Sequence, residues 1–268
     1  MKGRVLICAG SDSGGGAGIQ ADIKAVTALG GFAMTAITAL TAQNTLGVQG
    51  VMAVAPDFIR RQMRSVLEDL GADAIKTGML HDVATINAVC DEIAAQAPHL
   101  PLVADPVMVA TSGSRLLAAD AAETLRRRLL PMATVITPNI PEAEELTGLS
   151  ITDEAGMHEA AQALLAMGAR AVLLKGGHMT SKVLVDLLVT QGGGHRYEDR
   201  RIETRHTHGT GCTLASAVAA GLAQGLALEP AVRRARAYVR AAILAAPGYG
   251  AGNGPLDHGV TMDPSRFV

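Results

Sequence analysis

Apolar residues along this chain switch repeatedly between short unbroken runs and a helical spacing. The run Val5 to Ala9 reads as a strand, and after a glycine loop a helical pattern covers residues 16–29 before Gly30-Gly31 stop it. Two further strands are predicted at residues 32–40 and 48–55. Pro56-Asp57 then starts a helix whose Ile59, Met63, Val66, Leu67 and Leu70 share one face, and Gly71 ends it. From there the alternation is regular. Strands at 74–77, 102–105 and 134–137 are interleaved with helices at 82–97, 118–130 and 141–147. A helix capped by Thr152 runs to Met167, with Gly168 after it, and leads into the strand at 171–174. Residues 183–189 and 196–203 read as two strands joined by Gly192-Gly193-Gly194, and two Ala-rich helices at 211–226 and 230–245 close the chain. Such alternation predicts an α/β fold: a mostly parallel sheet with helices on both faces and one short antiparallel hairpin.

Composition narrows this reading. Of 268 residues 49% are hydrophobic but only 2% aromatic, with no Trp, so the core is aliphatic, and one domain of this length can enclose it. The formal charge is -2, which gives no global field for nucleic acid or an anionic membrane. The clusters Arg60-Arg61, Arg126-Arg127-Arg128 and Arg233-Arg234 lie in helical segments and read as solvated faces. Cys8, Cys90 and Cys212 are far apart and lack C-x-x-C spacing, which fits a reducing cytoplasm. Val5 to Ala9 is too short for a signal-peptide core, and the charge-free stretches at 25–56 and 209–228 are too polar or too rich in Ala and Gly to span a membrane.

In an open parallel sheet, ligands bind beyond the carboxyl ends of the strands. Gly16-Ala17-Gly18-Ile19-Gln20-Ala21 matches the dinucleotide pattern, but no acidic residue lies between Asp22 and Asp57 to hold a ribose. No G-x-x-x-x-G-K-[ST] run occurs. Gly209-Thr210-Gly211-Cys212 opens an uncharged helix whose first N–H groups can receive an oxyanion; the same tetrapeptide also suits a plain glycine turn. At that helix start the Cys212 thiol is expected to titrate below its ordinary value and serve as a base, the other reading being a small buried hydrophobe. Cys8 and Cys90 belong to the buried class. His206 and His208 form H-x-H beside Cys212 but lack the further ligands of a metal site. Asn139 and Glu142 offer hard oxygens to Mg²⁺, or alternatively a turn residue and a first-turn charge. Asp105 ends a buried strand and needs a cation or donor as partner.

Taken together these segments closely resemble the ribokinase-like superfamily, and within it the hydroxymethylpyrimidine/phosphomethylpyrimidine kinase branch of thiamine biosynthesis. The resemblance rests on CAGSDSGGGAGIQADIKA (8–25), TALTAQNTLGV (38–48), IKTGML (75–80), DPVMVATSG (105–113), ITPNIPEAEEL (136–146), LLKGGH (173–178), THGTGCT (207–213) and GNGPLDH (252–258). It implies a three-layer αβα fold and transfer of the γ-phosphoryl of ATP to a hydroxymethyl group. Gly209, Thr210 and Gly211 are implied as the anion hole and Cys212 as the base. Lys175 and Asn139 are implied at the nucleotide phosphates, and Asp105 and Glu142 at Mg²⁺, partly through water. The pyrimidine pocket is implied to be Gly10, Ala17, Asp22, Gln43, Met79 and Val107. Gln43 offers a donor and an acceptor, Asp22 accepts from an amino group, and Met79 and Val107 contact the ring faces. Closure by glycine-rich segments at 14–16 and 248–254 would exclude water. The resemblance implies phosphorylation of both the alcohol and its monophosphate, and a homodimer is expected. The nearest rival is a pyridoxal kinase; a rival of another class is a sensor that binds nucleotide or pyrimidine without turnover.

Overall fold

The computed structural model describes residues 3–110, 113–118, 120–263 and 265. Nine strands form one sheet in the order β3-β2-β1-β4-β5-β6-β7-β8-β9. They are β1 (Arg4–Asp12), β2 (Phe32–Asn44), β3 (Gly47–Ala53), β4 (Ala74–Thr77), β5 (Leu102–Ala104), β6 (Val135–Ile136), β7 (Ala171–Lys175), β8 (Val183–Thr190) and β9 (Gly193–Arg200). The segment from β2 to β7 is parallel, whereas β3 pairs antiparallel to β2, and β8 and β9 continue antiparallel from β7.

Alternation within each strand sorts the core into two layers. Leu6, Cys8, Ile75, Leu102, Ile136 and Val172 face one side, where they meet α2 (Pro56–Asp69), α3 (Val83–Gln96), α5 (Ile140–Thr147) and α6 (Glu154–Ala166). Val5, Ile7, Ala74, Val103, Val135 and Leu173 face the other, covered by α1 (Gly18–Ala28), α7 (Thr210–Ala223) and α8 (Leu228–Leu244). The fold is therefore the three-layer α/β arrangement expected. Small residues set the spacing on the second face. α7 buries Ala215, Ala217, Ala219, Ala220 and Gly221, and a methyl on Gly221 would lie 2.7 Å from the Ala231 side chain of α8.

Some local expectations are corrected. The predicted helix at 118–130 is a short α4 (Ala121–Thr124) that widens into a π turn (Leu125–Leu129) and ends as a 3-10 turn at Leu130–Met132, where Pro131 cannot donate a backbone bond. The cap of α6 is Asp153, not Thr152, since the Asp153 carboxylate accepts from Gly156 N at 2.8 Å. The strand predicted at 32–40 extends to Asn44 and turns back into β3, a second antiparallel hairpin. Asn44 Oδ1 accepts from Leu46 N at 2.9 Å in that turn. Of the clustered arginines, Arg60 and Arg128 both reach Asp91 of α3 at 2.7 Å, whereas Arg233 turns to Glu229 of its own helix. No helix among the described residues is long and apolar enough to cross a membrane.

Candidate active site

The carboxyl ends of the parallel strands open into one cavity of about 660 Å³. It runs from the β1 and β2 ends, across those of β4 to β7, to the inner side of α8. Gly10, Ala17, Gln43, Met79, Val107, Asp105, Asn139, Glu142, Lys175, Gly209, Thr210, Gly211 and Cys212 all lie on its wall, so residues from eight separated segments meet there. Thr111 and Ser112 of the DPVMVATSG run lie outside the described residues.

The GTGC loop is held by backbone crossing rather than by side chains. Gly209 has φ +82° and caps α7, and a methyl placed on it would lie 1.9 Å from the carbonyl oxygen of Gly16. The two glycine loops are thus in direct contact, which only a residue without Cβ permits. The Thr210 N–H is spent on Thr207 O at 3.3 Å and that of Thr213 on Gly209 O at 2.9 Å. Among the described residues the N–H groups of Gly211 and Cys212 are left without a backbone acceptor. With the positive end of the helix dipole behind them, they are the donors an oxyanion can use.

Cys212 departs from expectation in one respect. Burial pushes its thiol up to about 12, while Lys76 and the backbone N–H of Gly18 pull the other way. The helix start does not lower it below its ordinary value, because desolvation of the thiolate outweighs the dipole. Cys8 and Cys90 are buried in the core as expected.

The placement of Asp22 also differs from expectation. Its side chain is 0% exposed and is absent from the cavity wall, with both oxygens 2.9 Å from Lys76 Nζ and Oδ1 accepting from Ser216 Oγ at 2.7 Å. Lys76 takes the cavity position in front of it. Burial alone would push the Lys76 ammonium down, but Asp22, Cys212 and Asp105 outweigh it and keep the charge. Sequence reading passed over Lys76, although a lysine inside the apolar run Ala74 to Thr77 was a visible signal.

Across the cavity, Asp105 Oδ1 accepts from Thr137 Oγ1 at 2.9 Å and Lys175 Nζ at 3.2 Å. Asn139 and Glu142 form a capping box on α5, with Asn139 Oδ1 accepting from Glu142 N and Glu142 Oε2 from Asn139 N, each at 2.9 Å. The helix-capping reading therefore holds, and the same two residues also line the cavity. Burial raises the Glu142 carboxyl to about 7, with Lys175 opposing the shift and Asp105 adding to it. Among the described residues no three His, Cys, Asp or Glu side chains are placed so that they could together hold a metal ion. Two carboxylates, one made reluctant to ionise by its surroundings, are a sparse hard-oxygen set. It fits a cation such as Mg²⁺ that keeps most of its waters and is held chiefly by a ligand's phosphates.

Two more residues were undervalued in sequence. Asp12 accepts from the backbone N–H of Gly14, Gly16 and Ala17 at 2.8, 3.0 and 2.8 Å and is 2.8 Å from His208 Nε2. His208 also lies 3.2 Å from the Gln43 amide nitrogen. His206 and His208 do not act together: a methyl on Gly254 would lie 2.1 Å from His206 Nδ1, whereas His208 turns to Asp12. The segment at 248–254 is docked, with Asn253 N donating to Thr45 O at 3.0 Å and His208 N to Gly254 O at 3.1 Å.

A three-layer α/β sheet with a glycine loop opening a helix, two lysines and two carboxylates on one cavity defines a small-molecule kinase of the ribokinase-like kind. The phosphomethylpyrimidine kinase family matches over residues 12–257, and the chain belongs to that family of phosphotransferases. The hydroxymethylpyrimidine/phosphomethylpyrimidine kinase of Streptomyces coelicolor is 50% identical over 255 residues, covering 95% of this chain and 94% of that protein. The thiamine biosynthesis bifunctional protein ThiED of Geobacter sulfurreducens is 50% identical over 265 residues, 99% of this chain; the chain spans about half, 54%, of that longer relative. A crystal structure of Bacillus subtilis pyridoxal kinase in complex with ADP superposes with a TM-score of 0.89 at 36% identity, covering 97% of this chain and 98% of that one.

Proposed function

We propose that this chain transfers the γ-phosphoryl group of ATP to the hydroxymethyl group of 4-amino-5-hydroxymethyl-2-methylpyrimidine and, in a second round, to its monophosphate, in thiamine biosynthesis. The observation that carries the reading is the single cavity joining the GTGC loop and Cys212 to Gln43, Met79 and Val107 on one side and to Lys175, Asn139, Glu142 and Asp105 on the other. A flat ring fits between Met79 and Val107 with its polar edge at Gln43, and a triphosphate fits toward Lys175 and α8.

The substrate oxygen attacks phosphorus in line, the bond from phosphorus to the bridging oxygen of ADP breaks, and the hydroxyl proton passes to the Cys212 thiolate. Gly211 and Cys212 N–H groups, set in place by Gly209 and Thr210, receive the charge on the moving phosphoryl. Lys175 and Asn139 hold the phosphates. When bound, Mg²⁺ neutralises phosphate charge, and Asp105 and Glu142 would hold it directly or through its waters. Asp22 acts from behind, through Lys76. With the thiol near 12, the thiolate at neutral pH is on the order of one molecule in 10⁵. Catalysis by this base therefore strengthens as pH rises.

A second copy of the chain is proposed to cover the exposed β2–β3 hairpin, where Leu46 in the turn is 69% and Met52 on the edge strand β3 is 61% exposed. The three unpaired, widely spaced cysteines support a reducing, cytoplasmic location as part of the same proposal. The likeness to a pyridoxal kinase supports pyridoxal as the second alcohol to test. Coupled ADP-release assays with the pyrimidine alcohol, its monophosphate and pyridoxal decide among them. A kcat/KM for pyridoxal above that for the pyrimidine alcohol overturns the reading, and no turnover of the monophosphate overturns its second half.

A further inference from the structure

We infer that His208, clamped by Asp12, fixes which way round the Gln43 amide faces the cavity, and thereby selects an aminopyrimidine alcohol over pyridoxal. The inference rests on the substrate reading above. Gln43 presents one amide head to His208, 3.2 Å from Nε2, and the other to Thr41, 3.3 Å from Oγ1. Thr41 Oγ1 has one proton, and it is given to Ser11 O at 2.9 Å. The same His208 Nε2 lies 2.8 Å from Asp12 Oδ2. Burial opposes ionisation of Asp12, but His208 and the N–H groups of Ala17 and Gly14 outweigh it and hold its carboxyl below its ordinary range.

An ionised carboxylate at that distance requires a proton on His208 Nε2. A protonated Nε2 cannot accept from an amide NH₂, so the Gln43 oxygen belongs on the His208 side and its nitrogen on the Thr41 side. In that arrangement the Nε2–H is shared between Asp12, the nearer acceptor, and the Gln43 oxygen, and the Gln43 NH₂ donates to Thr41 Oγ1, whose own proton stays on Ser11 O. The reverse orientation sets two donors, Nε2–H and the amide NH₂, face to face at His208.

The amide so fixed shows an acceptor beside His208 and a donor beside Thr41. An aminopyrimidine carries an amine donor next to a ring-nitrogen acceptor on the edge flanking its hydroxymethyl group, matching that polarity. Pyridoxal carries a formyl oxygen where the pyrimidine has its amine, and so sets an acceptor against the Gln43 oxygen. His208 acts here as a positioning residue. It need not touch either substrate.

The test is a cycle of His208→Leu, Gln43→Leu and the double variant, with KM and kcat for both alcohols, together with histidine ring ¹⁵N spectra of the free protein. Wild type should show His208 protonated at Nε2. His208→Leu should raise KM for the pyrimidine alcohol about tenfold, leave kcat within about twofold and lower KM for pyridoxal or leave it no higher than in wild type, because the freed amide can turn its NH₂ to the formyl oxygen. His208→Gln keeps an N–H for Asp12 and should recover most of the loss, and the double variant should be no worse than Gln43→Leu alone. An unprotonated Nε2 overturns the inference whatever the substrate, as do equal KM rises for both alcohols or multiplying effects in the double variant. Failure of wild type to turn over the pyrimidine alcohol overturns instead the substrate reading.

Discussion

Replacing Lys76 by Met tests the buried pair beneath the reacting groups. Both side chains of the Lys76–Asp22 pair are 0% exposed, and Lys76 Nζ serves both Asp22 oxygens at 2.9 Å. Once Lys76 is gone, Ser216 Oγ at 2.7 Å is the one remaining side-chain donor among the described residues to a carboxylate that is 0% exposed. Breaking a buried pair in this way costs about 3–5 kcal/mol. At roughly 2–4 °C per kcal/mol for a domain of this size, the melting temperature should fall by about 6–20 °C. The double variant Lys76→Met/Asp22→Leu removes both charges and fills the space with apolar atoms, so it should return to within about 2 kcal/mol of wild type. Urea and thermal unfolding of the four proteins measure this. The double variant, though folded, should lose kcat at least about tenfold, and its Cys212 should react more slowly with iodoacetamide, because the cation that favours the thiolate is missing. Single substitutions that each cost under about 1 kcal/mol and simply add in the double variant would refute the reasoning.

Other outcomes follow from the same site. Log kcat should rise by about one per pH unit from neutrality to beyond pH 9, because the Cys212 thiol is pushed up to about 12, and Cys212→Asp should flatten that profile. The Glu142 carboxyl, at about 7 in the fold, lies above its unfolded value, so the folded chain holds the extra proton. Its contribution to stability is present below about pH 4.5 and is lost as pH rises through 7, a trend that Glu142→Gln should remove from denaturation curves. Ionising Glu142 also frees it for a cation, so apparent Mg²⁺ affinity in the presence of ATP should tighten through pH 7 in wild type and not in Glu142→Gln. Gly209→Ala puts a methyl 1.9 Å from Gly16 O at φ +82°, and should cut kcat by more than about 100-fold while the far-UV spectrum stays native. Met52→Lys should shift the chain toward monomer in analytical ultracentrifugation; an unchanged sedimentation coefficient at every concentration would remove the β3 edge as the dimer contact.

Much of the fold is legible in the linear pattern because the central parallel strands are buried on both faces and most helices on one stripe. Residues 74–77, 102–105 and 171–174 announce themselves as apolar runs, and the helices between them by their spacing. The extension of β2 to Asn44 is not announced. Thr41 and Gln43 are polar since that stretch, still paired with β3, runs past the core to wall the cavity, and apolar periodicity falls silent where a strand stops packing on a core. The motifs named the family and most of the wall. They could not say which of Asp22 and Lys76 faces the ligand, since neighbouring side chains in a helix and a strand can meet in either order. Only packing of α1 and α7 on β4 put the carboxylate behind and the ammonium in front.

The sequence by itself determined the α/β class, the aliphatic core and the identity of the groups that can do chemistry, because these depend on local periodicity and on side-chain type. The tertiary structure alone decided the ionisation of Cys212 and Glu142, the contact of Gly209 with Gly16, and the joining of Asp12, His208 and Gln43. Each of those depends on burial or on distances between residues as much as 196 positions apart, and desolvation and hydrogen bonding act through space rather than along the chain.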